Sequence, residues 1–293
     1  MPAAKVEEAK ALAGKRAVAE HFDDKMSYVG IGSGTTILYV VDEIARLLST
    51  NERAKQRIRF VPTGYQSRQS IITAGLTPIA FDSLPAGVVL DVAFDGADEV
   101  DDELNCIKGG GACLFQEKLV AERARKFVAV AGILDYRKLQ SHLLTGWKTI
   151  PIEVAPLSIH SVQHSLSLLG STEHIVRLGP MLKSGPLKTD QDFFIIDAAF
   201  PKPLMTQAEV AAGKGKGDGS DGTWEVNNLS KAIKAITGVL EVGLFCGIDG
   251  IEAQEIYEKG GKNLTAHGGQ KPVACYFGME DGSVVERHRQ STS

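Results

Sequence analysis

The sequence predicts an α/β protein in which a mostly parallel sheet is covered by helices on both faces and joined to a smaller α+β lobe. Three observations predict it. Up to residue 131, short apolar, β-branched runs alternate with stretches whose apolar residues recur at helical spacing. Past Pro151 that rhythm gives way to a β-α-β-β-α order closed by one more strand. Acids and glycines gather where predicted strands end, which in open α/β sheets is the ligand crevice.

Taken in order, residues 3–22 form an amphipathic helix and residues 28–32 a strand that runs into Ser33-Gly-Thr-Thr36. Ile37, Leu38, Val40, Val41, Ile44, Leu47 and Leu48 then recur at helical spacing. Residues 57–62 are the next strand and 67–75 the next helix, followed by a short strand near 77–80. The run 88–94 is apolar enough for a buried strand ending at Asp95, and a helix over 114–125 precedes the strand 126–131. Such alternation defines a Rossmann-like sheet. In the second part, strands at 150–154, 175–178 and 193–197 and helices at 161–169 and 228–236 make a split-βαβ, ferredoxin-like set, with 240–245 as its last strand. The expected domains are 1–150 together with 241–293, Rossmann-like and catalytic, and 151–240, an inserted α+β lid lobe. The segment 213–222 is rich in Gly, Lys and Asp and suits a solvated loop.

Composition narrows the function. With Lys+Arg at 32 against Asp+Glu at 36, the formal charge of −4 provides no general pull on nucleic acid or an anionic membrane, so neither is expected as a partner. An anionic ligand must be caught locally. Cys106, Cys113, Cys246 and Cys275 show no CxxC spacing, and the first residues lack the regions of a signal peptide; a cytoplasmic protein with reduced thiols is expected.

The densest chemistry is Asp95-Gly-Ala-Asp98, then Lys108-Gly-Gly-Gly111, then Glu117. Two acids, an ammonium, a glycine-cleared backbone and a third acid can move protons on a small phosphorylated or hydroxylated molecule. Asp-Gly alone reads as a turn. The run of glycines weakens any helix or strand; it lets backbone N–H groups approach something closely or adopts positive φ, and the plain alternative is a hinge between two surface acids.

Gly30-Ile-Gly-Ser-Gly-Thr-Thr36 follows a strand and opens a helix, which makes it a candidate anion site. A tight turn capped by Ser33 or Thr35 is an equal reading of this stretch alone. It is no dinucleotide fingerprint, because Thr35 stands where the third glycine is required, and no G-K-[ST] closes it as a nucleotide loop. His160 and His164 stand four apart without the Glu of H-E-x-x-H, and the other histidines are scattered. No metal and no cofactor are expected.

Four motifs in this order, residues 30–36, Asp95-Gly-Ala-Asp-Glu-Val-Asp101, residues 108–118 and Asp135-Tyr-Arg-Lys138, closely resemble the A type of ribose-5-phosphate isomerase. The resemblance runs from about residue 28 to 140 and continues more weakly through 238–245. It implies an aldose–ketose isomerase that interconverts D-ribose 5-phosphate and D-ribulose 5-phosphate without metal, in the non-oxidative branch of the pentose phosphate pathway. It also implies a homodimer or homotetramer whose partner is a small sugar phosphate.

By matching motif position, the resemblance implies that Glu117 is the proton-transferring base. Ser33, Gly34, Thr35 and Thr36 would form one wall of the sugar-phosphate site. Asp95, Gly96, Ala97 and Asp98, with Lys108, Gly109, Gly110 and Gly111, would form the rest, and Lys138 would add a ligand contact. Among these, Glu117, Asp95, Asp98 and Lys108 are the catalytic candidates. A base that must be shielded from water is expected to be largely buried. Against the family pattern, the chain carries an extra segment within 246–275, and the stretch 213–222 is expanded.

Two rivals are weighed. A sugar-phosphate deaminase or lactonase would present a histidine near the acids, and none lies within 95–118. A non-catalytic sugar-phosphate sensor of the same fold would have lost the base, and Glu117 is present.

Overall fold

The computed structural model describes residues 3–132, 139–179, 185–260, 268–279 and 281–290. Helix α1 (Ala3–His21) leads to β1 (Tyr28–Ile31), α2 (Thr35–Leu48), α3 (Glu52–Arg57), β2 (Arg59–Pro62), α4 (Tyr65–Thr73) and β3 (Val92–Asp95). Two short strands, β4 (Glu99–Val100) and β5 (Cys106–Ile107), precede α5 (Leu114–Glu122) and β6 (Phe127–Ala131). Next come β7 (Ile150–Val154), α6 (Ile159–Leu168), β8 (Glu173–Val176), β9 (Phe194–Ala199), α7 (Gln207–Ala211) and α8 (Val226–Lys234). The described elements end with β10 (Val239–Val242), β11 (Leu244–Phe245), α9 (Gly250–Lys259), β12 (Ala274–Gly278) and β13 (Val284–His288).

The chain divides into two compact units. One comprises 1–97, 116–136 and 247–293, and the other 98–115 and 137–246. The sequence reading places 98–115, 137–150 and 241–246 with the larger domain. The difference has a physical reason: β4 and β5 do not join the main sheet but pair antiparallel with each other and with β11.

In the first unit the sheet order is β13-β12-β6-β3-β1-β2, parallel throughout except for the β12–β13 hairpin. It is the expected mostly parallel sheet with helices on both faces. The strand order turns back between β1 and β3, so their carboxyl ends form the switch point at which such sheets hold ligands. Helix α2 packs Ile37, Val40, Val41, Ile44 and Leu48 into the core, one stripe at helical spacing, and leaves Leu38 and Leu47 exposed. Strand β3 is shorter than the apolar run 88–94: before it Leu90 makes a single bridge to Ala124, and the Asp91 carboxylate accepts the N–H groups of Ser27 and Tyr28. Near 77–80 the backbone makes a single bridge to β2, between Phe60 and Pro78.

The second unit has its own core, gathered from Ile150, Ile152, Val162, Ile196, Leu229 and Val242 among others. Its sheet order is β10-β7-β9-β8, antiparallel throughout, the ferredoxin-like arrangement of a split βαβ. The run 240–245, expected as one strand, is split at Gly243 between two sheets. There the Gly243 N–H donates to the Pro151 carbonyl at 2.7 Å and its carbonyl accepts from Lys108 N–H at 2.9 Å.

The stretch 213–222 is exposed for most of its length. The Thr223 hydroxyl and the N–H groups of Lys216 and Thr223 all donate to the Asp221 carboxylate and hold its carboxyl down at about 2. The segment 246–275 contributes α9, while 261–267 lies outside the described residues. Among the described residues no helix is long and apolar enough to cross a membrane.

Candidate active site

In the first unit the site grows from the turn after β1. Gly32 N–H donates to the Phe94 carbonyl at 2.7 Å, which brings the turn beside the end of β3. A Cβ on Gly32 would lie 1.9 Å from Asp95 Oδ1, so only glycine lets the two strand ends approach so closely. Asp95, 4% exposed, uses Oδ1 to accept Ser33 N–H at 3.1 Å and Gly96 N–H at 2.7 Å. The carboxylate thereby shapes the turn.

Gly34 caps α2 with φ +101° and makes no side-chain cap. Its N–H donates to Gln66 Oε1 at 3.1 Å, at the start of α4. Thr35 is exposed and Thr36 buried, so the threonines do not share one surface. From α5 the Glu117 carboxylate, 4% exposed, reaches the same turn: Ser33 Oγ donates to its Oε1 at 3.0 Å. Ser33, Asp95, Gly96 and Glu117 are thus joined in one hydrogen-bonded group. Beside Glu117, the buried Lys118 donates from Nζ to Gln270 Oε1 at 2.6 Å, and Gln270 Nε2 donates to Glu122 at 3.2 Å.

The second unit holds the other candidates. Asp98 N–H donates to the Ile107 carbonyl at 2.8 Å, and Asp98 Oδ2 accepts Gly110 N–H at 2.8 Å. Lys108, 3% exposed, follows β5 with its ammonium 5.5 Å from the centre of the Phe245 ring. Gly109 is buried with φ +103°, whereas Gly110 and Gly111 are exposed. Arg177 closes this loop from outside, donating from Nη1 to the carbonyls of Gly109 at 2.9 Å and Gly110 at 3.2 Å. Ala97, in the first unit, is buried, and Lys138 lies outside the described residues.

The acids just past Asp98 are holders of loops. Glu99 takes the N–H groups of Leu144 and Gly146, each at 2.5 Å, and Trp147 at 3.1 Å; burial pushes its carboxyl up, and these bonds oppose the shift. Asp101 accepts from Glu103 N–H, Asn105 N–H and Asn105 Nδ2, and burial pushes it up to about 7. Gln66 and Arg177 were not legible as site residues. Each is remote in sequence from the glycines it holds, and only the fold joins them.

A buried carboxylate bonded to a glycine turn at the switch point of a parallel sheet is an arrangement that can transfer protons in an α/β enzyme. The profile of the family described as ribose 5-phosphate isomerase A (phosphoriboisomerase A) matches residues 59–253. The chain belongs to this family. It is 46% identical over 281 residues to ribose-5-phosphate isomerase of Mycosarcoma maydis, covering 96% of this chain and 80% of the relative. It is 39% identical to that of Candida albicans, covering 96% of each. Among solved structures, ribose 5-phosphate isomerase A from Methanocaldococcus jannaschii superposes with a TM-score of 0.70 at 27% identity, covering 96% of this chain and 99% of that one. A D-ribose-5-phosphate isomerase in complex with phospho-erythronic acid gives 0.73 at 29%, covering 97% and 99%.

Proposed function

We infer that this chain interconverts D-ribose 5-phosphate and D-ribulose 5-phosphate through an enediolate, with Glu117 as the base. The observation that carries the reading is the buried Glu117 carboxylate, oriented by Ser33 at the carboxyl ends of β1 and β3. In the open-chain aldose the carboxylate takes the proton from C2, the C2–H electron pair forms the C1–C2 double bond, and O1 carries the charge. Glu117 returns its proton to C1 as the O2 hydroxyl becomes a carbonyl and its proton passes to O1. No atom is gained or lost.

The developing oxyanion needs fixed positive partners. Lys108 and the N–H groups of 109–111 have the chemistry for it. Asp95 or Asp98 relays the hydroxyl protons and assists opening of the furanose ring. The turn 33–36, with Lys138, is proposed to hold the phosphate end. A carboxylate base and these donors supply both the proton transfer and the charge stabilisation, so the mechanism calls on no metal. The relative in complex with phospho-erythronic acid supports the reading, since a phosphorylated sugar acid carries a planar, charged carboxylate that resembles an enediolate. The working form is proposed to be a cytoplasmic homodimer or homotetramer.

The test is isomerisation of ribose 5-phosphate by the purified chain with chelator present, beside Glu117→Gln. The wild type should turn over, and the variant should lose about 10²-fold or more in kcat. A wild type that binds the sugar phosphate without converting it would replace this reading with a sugar-phosphate sensor. An active variant would move the base elsewhere.

A further inference from the structure

We propose that Arg177, locked by Asp197, is a positioning residue for this isomerisation, fixing the peptide planes of the glycine loop so that its N–H groups face the Asp98 side. The proposal rests on the isomerase reading above. In a trans peptide the carbonyl and the following N–H point in opposite directions, and no cis peptide is found among the described residues. The peptide joining Gly109 to Gly110 is gripped at both ends. Its carbonyl accepts from Arg177 Nη1 at 2.9 Å and its N–H donates to Asp98 Oδ2 at 2.8 Å. The next carbonyl, that of Gly110, also accepts from Nη1, at 3.2 Å, so the Gly111 N–H is directed away from the guanidinium too.

The guanidinium is itself immobilised. Its Nε and Nη2 donate to the two Asp197 oxygens at 2.8 and 2.5 Å, the bidentate geometry that only arginine provides. Both residues stand on adjoining parts of one sheet: Arg177 N–H donates to the Ile195 carbonyl at 2.7 Å, and Asp197 pairs with Ile175 across β8 and β9. Consecutive glycines are the least constrained backbone a protein can build. Left alone, 109–111 would sample many orientations, and N–H groups hold a carboxylate or an oxyanion only when already aimed, that of Gly110 being given to Asp98. A cation on the carbonyl oxygens also polarises those peptides and strengthens the opposite N–H donors. Arg177 thus acts without touching the reacting atoms.

The experiment compares the wild type with Arg177→Met, Arg177→Lys, Arg177→Ala and Asp197→Asn by steady-state kinetics on ribose 5-phosphate, each with a thermal melt. Arg177→Met should lose about 10²-fold in kcat, as expected when catalytic groups are misaimed, while KM changes less than about threefold and melting stays close to wild type. Arg177→Lys should resemble it, because a point charge cannot hold two carbonyls and a carboxylate. Added guanidinium should restore part of the lost kcat to Arg177→Ala, and Asp197→Asn should lose about tenfold in kcat. The proposal is overturned by an Arg177→Met kcat within about twofold of wild type, by a rise in KM alone, or by a loss that follows unfolding and resists guanidinium. A wild type that fails to turn over removes the isomerase reading and this proposal with it. An active wild type beside an indifferent Arg177→Met removes the proposal alone.

Discussion

Ser33 Oγ donates to Glu117 Oε1 at 3.0 Å, joining the turn after the first strand to the helix that carries the proposed base. The two residues are distant in sequence, and the same Ser33 is held through its backbone N–H by Asp95. The carboxylate is therefore aimed by a turn that is itself aimed by a neighbouring strand. Ser33→Ala should leave the fold intact and lower kcat about tenfold, the effect of losing one hydrogen bond to a charged group. Steady-state kinetics on ribose 5-phosphate check this, and an unchanged kcat would mean that Glu117 is oriented without the serine.

Glu99 makes a prediction about stability instead of chemistry. It is fully buried and gathers three backbone N–H groups from the loop 144–147. Glu99→Ala strands those donors inside the protein and should cost about 2–4 kcal/mol, one to three for a lost partner and more where the bond is to a charge. Urea unfolding would register the loss as a lower midpoint. A midpoint equal to wild type would show that the loop finds other partners.

His21 predicts an acid sensitivity. Its ring is 8% exposed, Nε2 lies 2.8 Å from Tyr276 Oη, and burial pushes its pKa from 6.5 down to about 4. The folded state holds the imidazole neutral while the unfolded chain binds a proton near 6.5, so acid favours unfolding. This contribution is complete above about 6.5 and is lost as the pH falls toward about 4. Melting temperature should fall across that window by roughly 5 °C more in the wild type than in His21→Gln. Parallel curves for the two proteins would remove His21 as the cause.

Much of the scaffold is legible in the sequence because its periods are clean. The stripe through Ile37, Val40, Ile44 and Leu48, and the buried runs that became β6 and β7, need no tertiary information. What was missed lacks such a signal. Helix α9 buries only Gly250 and Ala253 and is otherwise polar or part exposed, while β4 and β5 are two residues each. Among the candidates, Asp95 and Lys108 stand out in the sequence because a motif falls where a strand ends, and Asp98 and Glu117 because they belong to the same motifs. Glu99 and Asp101 read as part of the same acidic string, and only their partners separate a loop holder from a site residue. Arg177, Asp197 and Gln66 carry no local mark, since their work depends on a carbonyl or an N–H that the fold brings from elsewhere.

The strand order also sets a timetable for synthesis. The second unit has its four-stranded sheet in hand once residue 242 has emerged, all of β7 to β10 being consecutive. The first unit begins earlier and finishes later: β1, β2, β3 and β6 are made by residue 131, yet β12, the neighbour of β6, arrives only at 274. Throughout that interval the growing chain carries an unpaired, fully buried-type strand edge at β6, the kind of surface that recruits foreign strands. Without β12 and β13 that interval would be permanent, so this hairpin covers an edge open to foreign strands as well as completing the sheet.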